Sequence, residues 1–174
     1  MSIRRRLLFL AGAGLFIFAC SSKIYLPGPV KQGTLLPNRW LLSPVGAQLA
    51  LGDLPLNMAL APKGDLLAVN NNGFSRHFIT IIDPLRDRVI QELDFSKGFY
   101  GLAFSPDGRD LYASGGADDK ILHWRRTGDR LEAAAPISLK KADERKLFLA
   151  GLAVSRDGRT LYVAENKNDS VALV

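Results

Sequence analysis

The chain has 174 residues, enough for one domain or slightly more. Hydrophobic residues make up 47% and charged residues 23%, a composition that excludes a disordered or collagen-like chain. Arg4, Arg5 and Arg6 lie in a segment that we expect to be removed, and the other 20 basic residues against 17 acidic ones leave a charge of +3. This excess is too small to indicate a nucleic-acid partner. The single cysteine excludes an internal disulfide framework and a cysteine-rich metal site.

Residues 1–19 have the pattern of a bacterial export signal, for which we predict a signal helix. Three arginines supply the positive start, and an uncharged run of 13 residues extends from Leu7 to Ala19. A helix that crosses a bilayer needs about 20 apolar residues. The run is shorter than that, so a cleaved signal is favoured over a permanent transmembrane helix.

The end of this run, Ile17-Phe18-Ala19-Cys20, resembles the lipobox of bacterial lipoproteins. The resemblance implies that the thiol of Cys20 is lipidated, which anchors the exported chain in the cell envelope. Because Ser21 follows rather than aspartate, the resemblance favours the outer membrane, facing the periplasm or the cell surface. The alternatives are a plain secretory signal with an incidental cysteine, or a buried structural cysteine. Residues 20–39, rich in proline and glycine, are predicted to form a tether.

The rest of the chain is a repeat centred on Gly64, Gly108 and Gly158. Each glycine closes a turn between two short apolar stretches, for example Leu102-Ala-Phe-Ser-Pro-Asp-Gly108. Proline, aspartate and glycine in this order favour a tight hairpin. A polar loop, a β-branched run and a further strand follow each hairpin.

Four antiparallel strands in each repeat of 40–50 residues are typical of a β-propeller blade. We therefore predict an all-β fold, a partial β-propeller of two and a half to three four-stranded blades. The predicted propeller region is 40–174, with blades at about 53–96, 97–140 and 147–174, the last one truncated. Gln48–Gly52 is predicted as an additional strand ahead of the first blade.

The repeat resembles the YVTN-type β-propeller family, most closely in Leu102–Gly108 and in Leu161-Tyr-Val-Ala164 with Asn168-Asp-Ser-Val171. The resemblance implies a ring of seven blades. Propellers of the Trp-Asp repeat class are the alternative, although no Trp-Asp dipeptide closes a third strand here. By its register Val174 falls in the third strand of a blade. We therefore expect a fragment of a larger protein, and the alternative is that short chains assemble into a ring.

The sequence contains few side chains in patterns typical of catalysis or metal binding, and we expect no catalytic residue, no cofactor and no metal. His123 falls inside a third strand and is expected to be structural, and His77 lies in a polar loop. The loops after the second strands are predicted to converge on one face, where their oxygens could bind a polar ligand or a hard cation. The alternative is that these residues only make turns. The candidate residues are Asn70, Asn71, Asn72, Asp118, Asp119, Glu165, Asn166 and Asn168.

The leading functional hypothesis is an exported, lipid-anchored propeller that binds a protein or a small polar ligand and catalyses nothing itself. Its expected partners are the membrane, through the anchor, and an unknown protein or ligand, but not nucleic acid. A second hypothesis is the front part of an enzyme. Residues 43–73 are similar to the start of propellers fused to alkaline-phosphatase-like phosphoesterase domains. A third is lactonase activity, because some sugar-lactone hydrolases share a related fold.

Overall fold

The computed structural model describes residues 26–139 and 146–174. The predicted signal helix, Cys20 and the start of the tether lie outside the described residues, as do residues 140–145. The described part of the chain divides into two compact units, with the boundary between Gly46 and Ala47. No helix in the described ranges is long and apolar enough to cross a membrane.

The described regular structure is entirely β, which confirms the predicted fold class. In the first unit, within and just after the predicted tether, three short strands form one antiparallel sheet in the order β1-β2-β3. Their bounds are β1 Gly28–Val30, β2 Gly33–Leu35 and β3 Leu41–Leu42.

The first blade is a four-stranded antiparallel sheet in sequential order. Its strands are β4 Pro55–Leu60, β5 Leu67–Asn71, β6 Phe78–Asp83 and β7 Arg88–Asp94. β-Branched residues fill β6, where Ile79 and Ile81 are fully buried. This sheet confirms the predicted strand pattern of the first repeat.

The second blade repeats this order, with its fourth strand in two pieces. Its strands are β8 Leu102–Phe104, β9 Asp110–Ser114, β10 Lys120–Thr127, β11 Arg130–Ala133 and β12 Ile137–Ser138. Both β11 and β12 pair with β10, and Pro136 lies between them. Proline lacks the N–H needed for the ladder, so the edge strand is interrupted there.

The third blade contains β13 Leu149–Val154, β14 Leu161–Glu165 and β15 Ser170–Leu173. The three strands are antiparallel in sequential order. The described fold is therefore two complete blades and three strands of another, a partial β-propeller.

The predicted hairpins join the first and second strands of each blade. In the second blade Ser105 Oγ donates to Asp107 Oδ1 at 2.6 Å and accepts from the Asp110 N–H at 2.9 Å. Gly108 has a φ of +71°, which glycine adopts without a steric penalty. Ser155 and Asp157 make the same contact at 2.6 Å in the third blade. The turn chemistry read from the sequence is confirmed.

Apolar cores fill the spaces between successive blades. The first and second blades share a core that includes Ile79, Ile81, Phe104 and Trp124. A second core, around Ile121 and Val163, joins the second blade to the third. The blades are therefore held face to face by buried apolar area.

The additional strand predicted at Gln48–Gly52 is wrong for the described structure. These residues belong to no sheet, although Leu49 and Leu51 alternate with Gln48 and Ala50 as in a strand. A strand needs a partner edge for its backbone groups, and no described strand pairs with this segment.

Candidate functional site

The polar loops lie at one end of each sheet. In an antiparallel blade, one end of the sheet contains the end of the second strand, the end of the fourth strand and the start of the first strand. We call this the loop end, and the opposite end, which carries the Ser-Pro-Asp-Gly-type hairpins, the turn end. The eight predicted binding residues all belong to the loop end of their blades.

Asn70 binds the second blade rather than facing a ligand. It is the fully buried penultimate residue of β5, not a loop residue as predicted. Its Nδ2 donates to the carbonyl of Phe99 at 2.7 Å, while its Oδ1 accepts from the Asn57 N–H at 2.7 Å. Asn57 Nδ2 donates to Tyr100 O at 3.0 Å and Asn72 Nδ2 to Gly98 O at 2.6 Å. Three amides thus hold three consecutive carbonyls, and we call this contact the amide latch.

Asn71, which ends β5, is also completely buried. Its Nδ2 donates to Thr80 Oγ1 at 2.9 Å and lies within 3.3 Å of two strand carbonyls. The Oδ1 atoms of Asn71 and Asn72 are buried without a hydrogen-bond donor in the described structure. The side chain of Asn71 therefore makes its hydrogen bonds inside the first blade.

The second blade presents two neighbouring carboxylates with different roles. Asp119 is buried, and its Oδ1 accepts the N–H groups of Leu147 at 3.0 Å and Phe148 at 2.9 Å. It thereby fixes the connector that enters the third blade. Asp118 accepts from Lys97 Nζ at 2.9 Å. That hydrogen bond is the main reason why the pKa of Asp118 lies below its usual value.

In the third blade the loop side chains are more exposed. Glu165 accepts from Ser170 Oγ at 2.8 Å across the β14–β15 loop. Asn166 and Asn168 donate backbone N–H groups to Phe148 O and Glu165 O, both at 3.1 Å. Ligand binding by the eight residues stays a prediction. The side-chain contacts of Asn70, Asn71, Asn72 and Asp119 are within the fold, and the other four residues are at least partly exposed.

A pocket of about 320 Å³ opens at the loop end of the first blade. It is lined by Asp53, Leu54, Asn72, Gly73 and Phe74. The ring of Phe74 is fully exposed and Leu54 is 59% exposed, so the pocket offers two apolar surfaces beside the carboxylate of Asp53.

Asp53 shapes this pocket. Its Oδ2 accepts the N–H groups of Phe74 at 2.7 Å and Ser75 at 3.1 Å, and its Oδ1 accepts from Ser75 Oγ at 2.5 Å. The hydroxyl hydrogen bond of Ser75 is the main cause that lowers the pKa of Asp53, and the carboxyl is therefore ionised near neutral pH. Asp53 and Phe74 were not among the predicted residues. They are 21 positions apart, and no local motif connects them.

His77, predicted as a loop residue, lies next to this pocket. Its Nε2 is 3.1 Å from the carbonyl of Gly73. A carbonyl only accepts, so Nε2 carries a proton and donates it to Gly73 O. Nδ1 is buried without a hydrogen-bond partner in the described structure.

A smaller cleft of about 190 Å³ lies at the turn end, lined among others by Asp107, Asp110, Tyr112 and Asp157. Serine hydroxyls are the main cause that lowers the pKa of Asp107 and Asp157. His123 lies inside β10 as predicted, with Nε2 2.7 Å from Asp110 Oδ1. Its ring stacks on Tyr112 at 4.8 Å between centroids. These contacts fit a structural role for His123.

The described residues contain no group of three or more histidine, cysteine, aspartate or glutamate side chains that could hold a metal ion. Among the described residues we take the loop-end pocket as the candidate site, because it places exposed apolar side chains beside the carboxylate of Asp53.

No protein-family model matches the sequence, so the resemblance to the YVTN-type family stays a prediction. No curated protein sequence matches it either.

Solved structures do share the fold. Hydrazine synthase of Kuenenia stuttgartiensis is 13% identical with a TM-score of 0.57, over 67% of this chain and 38% of that one. A gluconolactonase of Xanthomonas campestris is 18% identical with a TM-score of 0.53, over 82% and 51%. A protein assigned as a 6-phosphogluconolactonase from Bacteroides uniformis is 16% identical with a TM-score of 0.51, over 80% and 48%. The chain thus spans between 38% and 51% of these structures, and the similarity supports a partial β-propeller fold.

Proposed function

We propose that this chain is a ligand-binding part of a β-propeller, and that it binds a small hydroxylated molecule in the loop-end pocket. The observation that carries the proposal is the exposed ring of Phe74 beside the ionised carboxylate of Asp53. Binding needs no catalytic group, and the proposal assigns none to the described residues.

The lining favours an uncharged ligand with an apolar face and several hydroxyls, such as a sugar. Pockets commonly combine apolar walls with a few polar groups that fix orientation. Phe74 and Leu54 supply such walls. The Asp53 carboxylate has acceptor capacity beyond the three hydrogen bonds that it accepts within the chain. A ligand hydroxyl is a suitable donor for it.

Calorimetric titration with a panel of monosaccharides, aldonic acids and their lactones tests the proposal. Phe74→Ala removes the aromatic wall and is expected to weaken binding about tenfold or more, because a lost ring contact costs more than about 1.4 kcal/mol. The matched control is Leu85→Ala, at an apolar residue that is also exposed and lies in the β6–β7 turn at the other end of the blade. Equal affinities of wild type and Phe74→Ala would contradict the proposal.

We also propose that the propeller is of the YVTN type and is exported and anchored through lipidated Cys20. The support is the lipobox-like sequence before Cys20. Two or three acyl chains anchor a protein stably where one does not. Radiolabelled palmitate fed to expressing bacteria should enter the protein, and Cys20→Ala should abolish the label. Label that persists in Cys20→Ala would rule out this anchor.

A lactonase-type hydrolase is the second candidate. It is favoured by the fold similarity to a gluconolactonase and to a protein assigned as a 6-phosphogluconolactonase. Acid release from sugar lactones, measured in weakly buffered solution, distinguishes the hydrolase from the binding module. Turnover that saturates with lactone would support the hydrolase, and tight binding without acid release above the spontaneous rate would support the binding module.

A further inference from the structure

The net positive charge of the chain lies ahead of its blades. All 17 acidic residues lie at Asp53 or later in the sequence, and the same stretch, residues 53–174, contains 17 basic residues that balance them. Residues 21–52 contain Lys23, Lys31 and Arg39 and no acidic residue. These three residues account for the whole excess of +3 that remains without the predicted signal. The part of the chain that attracts anions is therefore the segment between the predicted anchor and the first blade.

The structure presents two of these charges at the surface of the first unit. Lys31 lies in the turn between β1 and β2, and Arg39 lies in the turn between β2 and β3. Both residues are exposed. Because the sequence up to Gly46 contains no aspartate or glutamate, no side chain of this unit can neutralise either cation. Both charges are therefore available to an anionic partner.

The turn between β2 and β3 places an aromatic ring next to one of these charges. The Leu36 N–H donates to Trp40 O at 2.8 Å, and the Arg39 N–H donates to Leu36 O at 2.9 Å. These hydrogen bonds close the turn around Arg39, and Trp40, which follows it, is 73% exposed. Tryptophan and arginine each have an apolar body and a polar end, and both are favoured at the boundary between a membrane and water.

Apolar side chains follow this turn directly. Leu41 and Leu42 form β3 and are about half exposed, and Val45 is fully exposed. Segments that lie in a membrane interface combine apolar side chains, which enter the boundary between headgroups and acyl chains, with basic side chains at the phosphates. Residues 31–45 contain both kinds of side chain and no acidic residue that the phosphates would repel.

The predicted anchor would keep this unit close to a bilayer. Gly28, the first residue of β1, follows Cys20 by eight residues, which span at most about 28 Å when fully extended. An anchored group has a high effective concentration at nearby surfaces, so a contact that is weak by itself becomes populated. Two basic residues and one aromatic ring are therefore enough to hold the unit on the bilayer.

We propose that the first unit lies on an anionic phospholipid surface, with Lys31 and Arg39 at the phosphates and Trp40 at the level of the headgroups. The unit is then a second point of attachment beside the lipid. This inference rests on the export and lipidation proposed above, and it is independent of the ligand pocket and of the number of blades. The balanced charge of residues 53–174 explains why the contact is assigned to the first unit and not to the blades.

Tryptophan fluorescence of the full chain, isolated from bacterial membranes and reconstituted into vesicles, tests the contact. The sequence contains two tryptophans, and Trp124 is buried in the core that the first two blades share. In vesicles of phosphatidylcholine with phosphatidylglycerol, phospholipids brominated close to the headgroup should quench Trp40. The variant Trp40→Phe should abolish the quenching, because Trp124 is inaccessible to lipid.

Reversal of the two charges tests the role of the cations. Lys31→Glu combined with Arg39→Glu should lower the ratio of surface-bound to free unit by at least about tenfold, because each basic residue at an anionic bilayer contributes about fivefold. The matched control reverses Arg156 and Arg159, which are exposed in the hairpin of the third blade, and should leave the quenching unchanged. Circular dichroism of each variant reports whether the blades are still folded.

The palmitate label at Cys20 distinguishes failure of this contact from failure of the anchor. Labelled protein whose Trp40 is not quenched would overturn the contact and support the anchor, whereas quenching of unlabelled protein would do the reverse. Equal quenching in vesicles of phosphatidylcholine alone, or an equal loss in the two charge-reversed variants, would overturn the proposal. Shielding of Trp40 in intact bacterial envelopes but not in vesicles would assign the surface to a protein partner and would overturn it as well.

Discussion

At the scale of single residues, buried amides and carboxylates decide how successive blades are joined. The Asn70 side chain donates a hydrogen bond to the second blade and accepts one from the Asn57 N–H. Asp119 accepts hydrogen bonds from two N–H groups of the connector to the third blade. Burying a polar group costs free energy unless the group is hydrogen-bonded, as these groups are. The polar residues predicted to bind a ligand therefore include residues that join successive blades.

Substitution of Asn70 tests the amide latch. Asn70→Asp places a carboxylate against the Phe99 carbonyl and is expected to lower the free energy of unfolding by about 3 kcal/mol or more, because an unpaired buried charge costs more than an unpaired neutral group. Asn70→Ser keeps an acceptor for the Asn57 N–H, as Ser114 Oγ does for Gly101 N at 2.9 Å, and should cost about 1 kcal/mol. Urea unfolding measures both. If the two substitutions lowered the free energy of unfolding equally, the amide latch would be contradicted.

The pair Asp65–Arg126, which joins the first blade to the second, predicts a pH effect. Arg126 donates to both carboxylate oxygens at 3.0 and 2.8 Å, and this lowers the pKa of Asp65 below 3.8. A lowered pKa stabilises the fold above pH 3.8, and that contribution is lost as the pH falls through the folded-state pKa.

Asp65→Asn should therefore be less stable than wild type at neutral pH, by about 1 kcal/mol for a partly exposed pair. The difference should shrink as the pH falls below 3.8. Exposed Glu132→Gln is the control. Thermal unfolding across this pH range measures the difference. If the stability difference between Asp65→Asn and wild type stayed constant over the range, the assignment would be refuted.

At the scale of elements, the Ser-Pro-Asp-Gly-type hairpin joins the first two strands of each blade. Gly108 needs its φ of +71°, and an added Cβ would lie 3.4 Å from Pro62 Cδ of the previous blade. Local turn chemistry of this kind can be read from adjacent residues, which is why the hairpins and most strand positions were predictable from the sequence.

Gly108→Ala should lower the free energy of unfolding by about 1 kcal/mol, because alanine is strained at positive φ. Gly108→Asn is the matched comparison and should cost less, since asparagine tolerates this conformation better than other residues with a side chain. Chemical denaturation measures the two. An alanine variant as stable as the asparagine variant would show that backbone strain is not the cause.

Other features were not predictable because they depend on contacts between distant segments. Asp53 binds the N–H groups of Phe74 and Ser75, more than 20 positions away. Asn70 and Asn71 resemble loop residues in sequence, but β5 extends to include them. Gln48–Gly52 has the alternation of a strand, yet strand formation also needs a free edge, which no local pattern reports.

At the scale of the whole molecule, rigid blades bring loops from separate repeats to one end. The sheets are joined by apolar cores and by the contacts of Asn70 and Asp119, so the loop end is a fixed platform. Binding and catalytic residues concentrate on loops held by such scaffolds. The pocket around Asp53 and Phe74 lies at this end, whereas the cleft around Asp107 and Asp157 lies among structural turns.

Amide hydrogen exchange of the full chain, with and without the panel of sugars, aldonic acids and lactones, separates these two clefts most directly. The amides of Phe74 and Ser75 donate to Asp53 beside the pocket, and a bound ligand should slow their exchange. The hairpin amides of residues 105–110 should exchange at an unchanged rate. Slowed exchange at the hairpin instead, or at neither place with any compound of the panel, would contradict the proposed binding site.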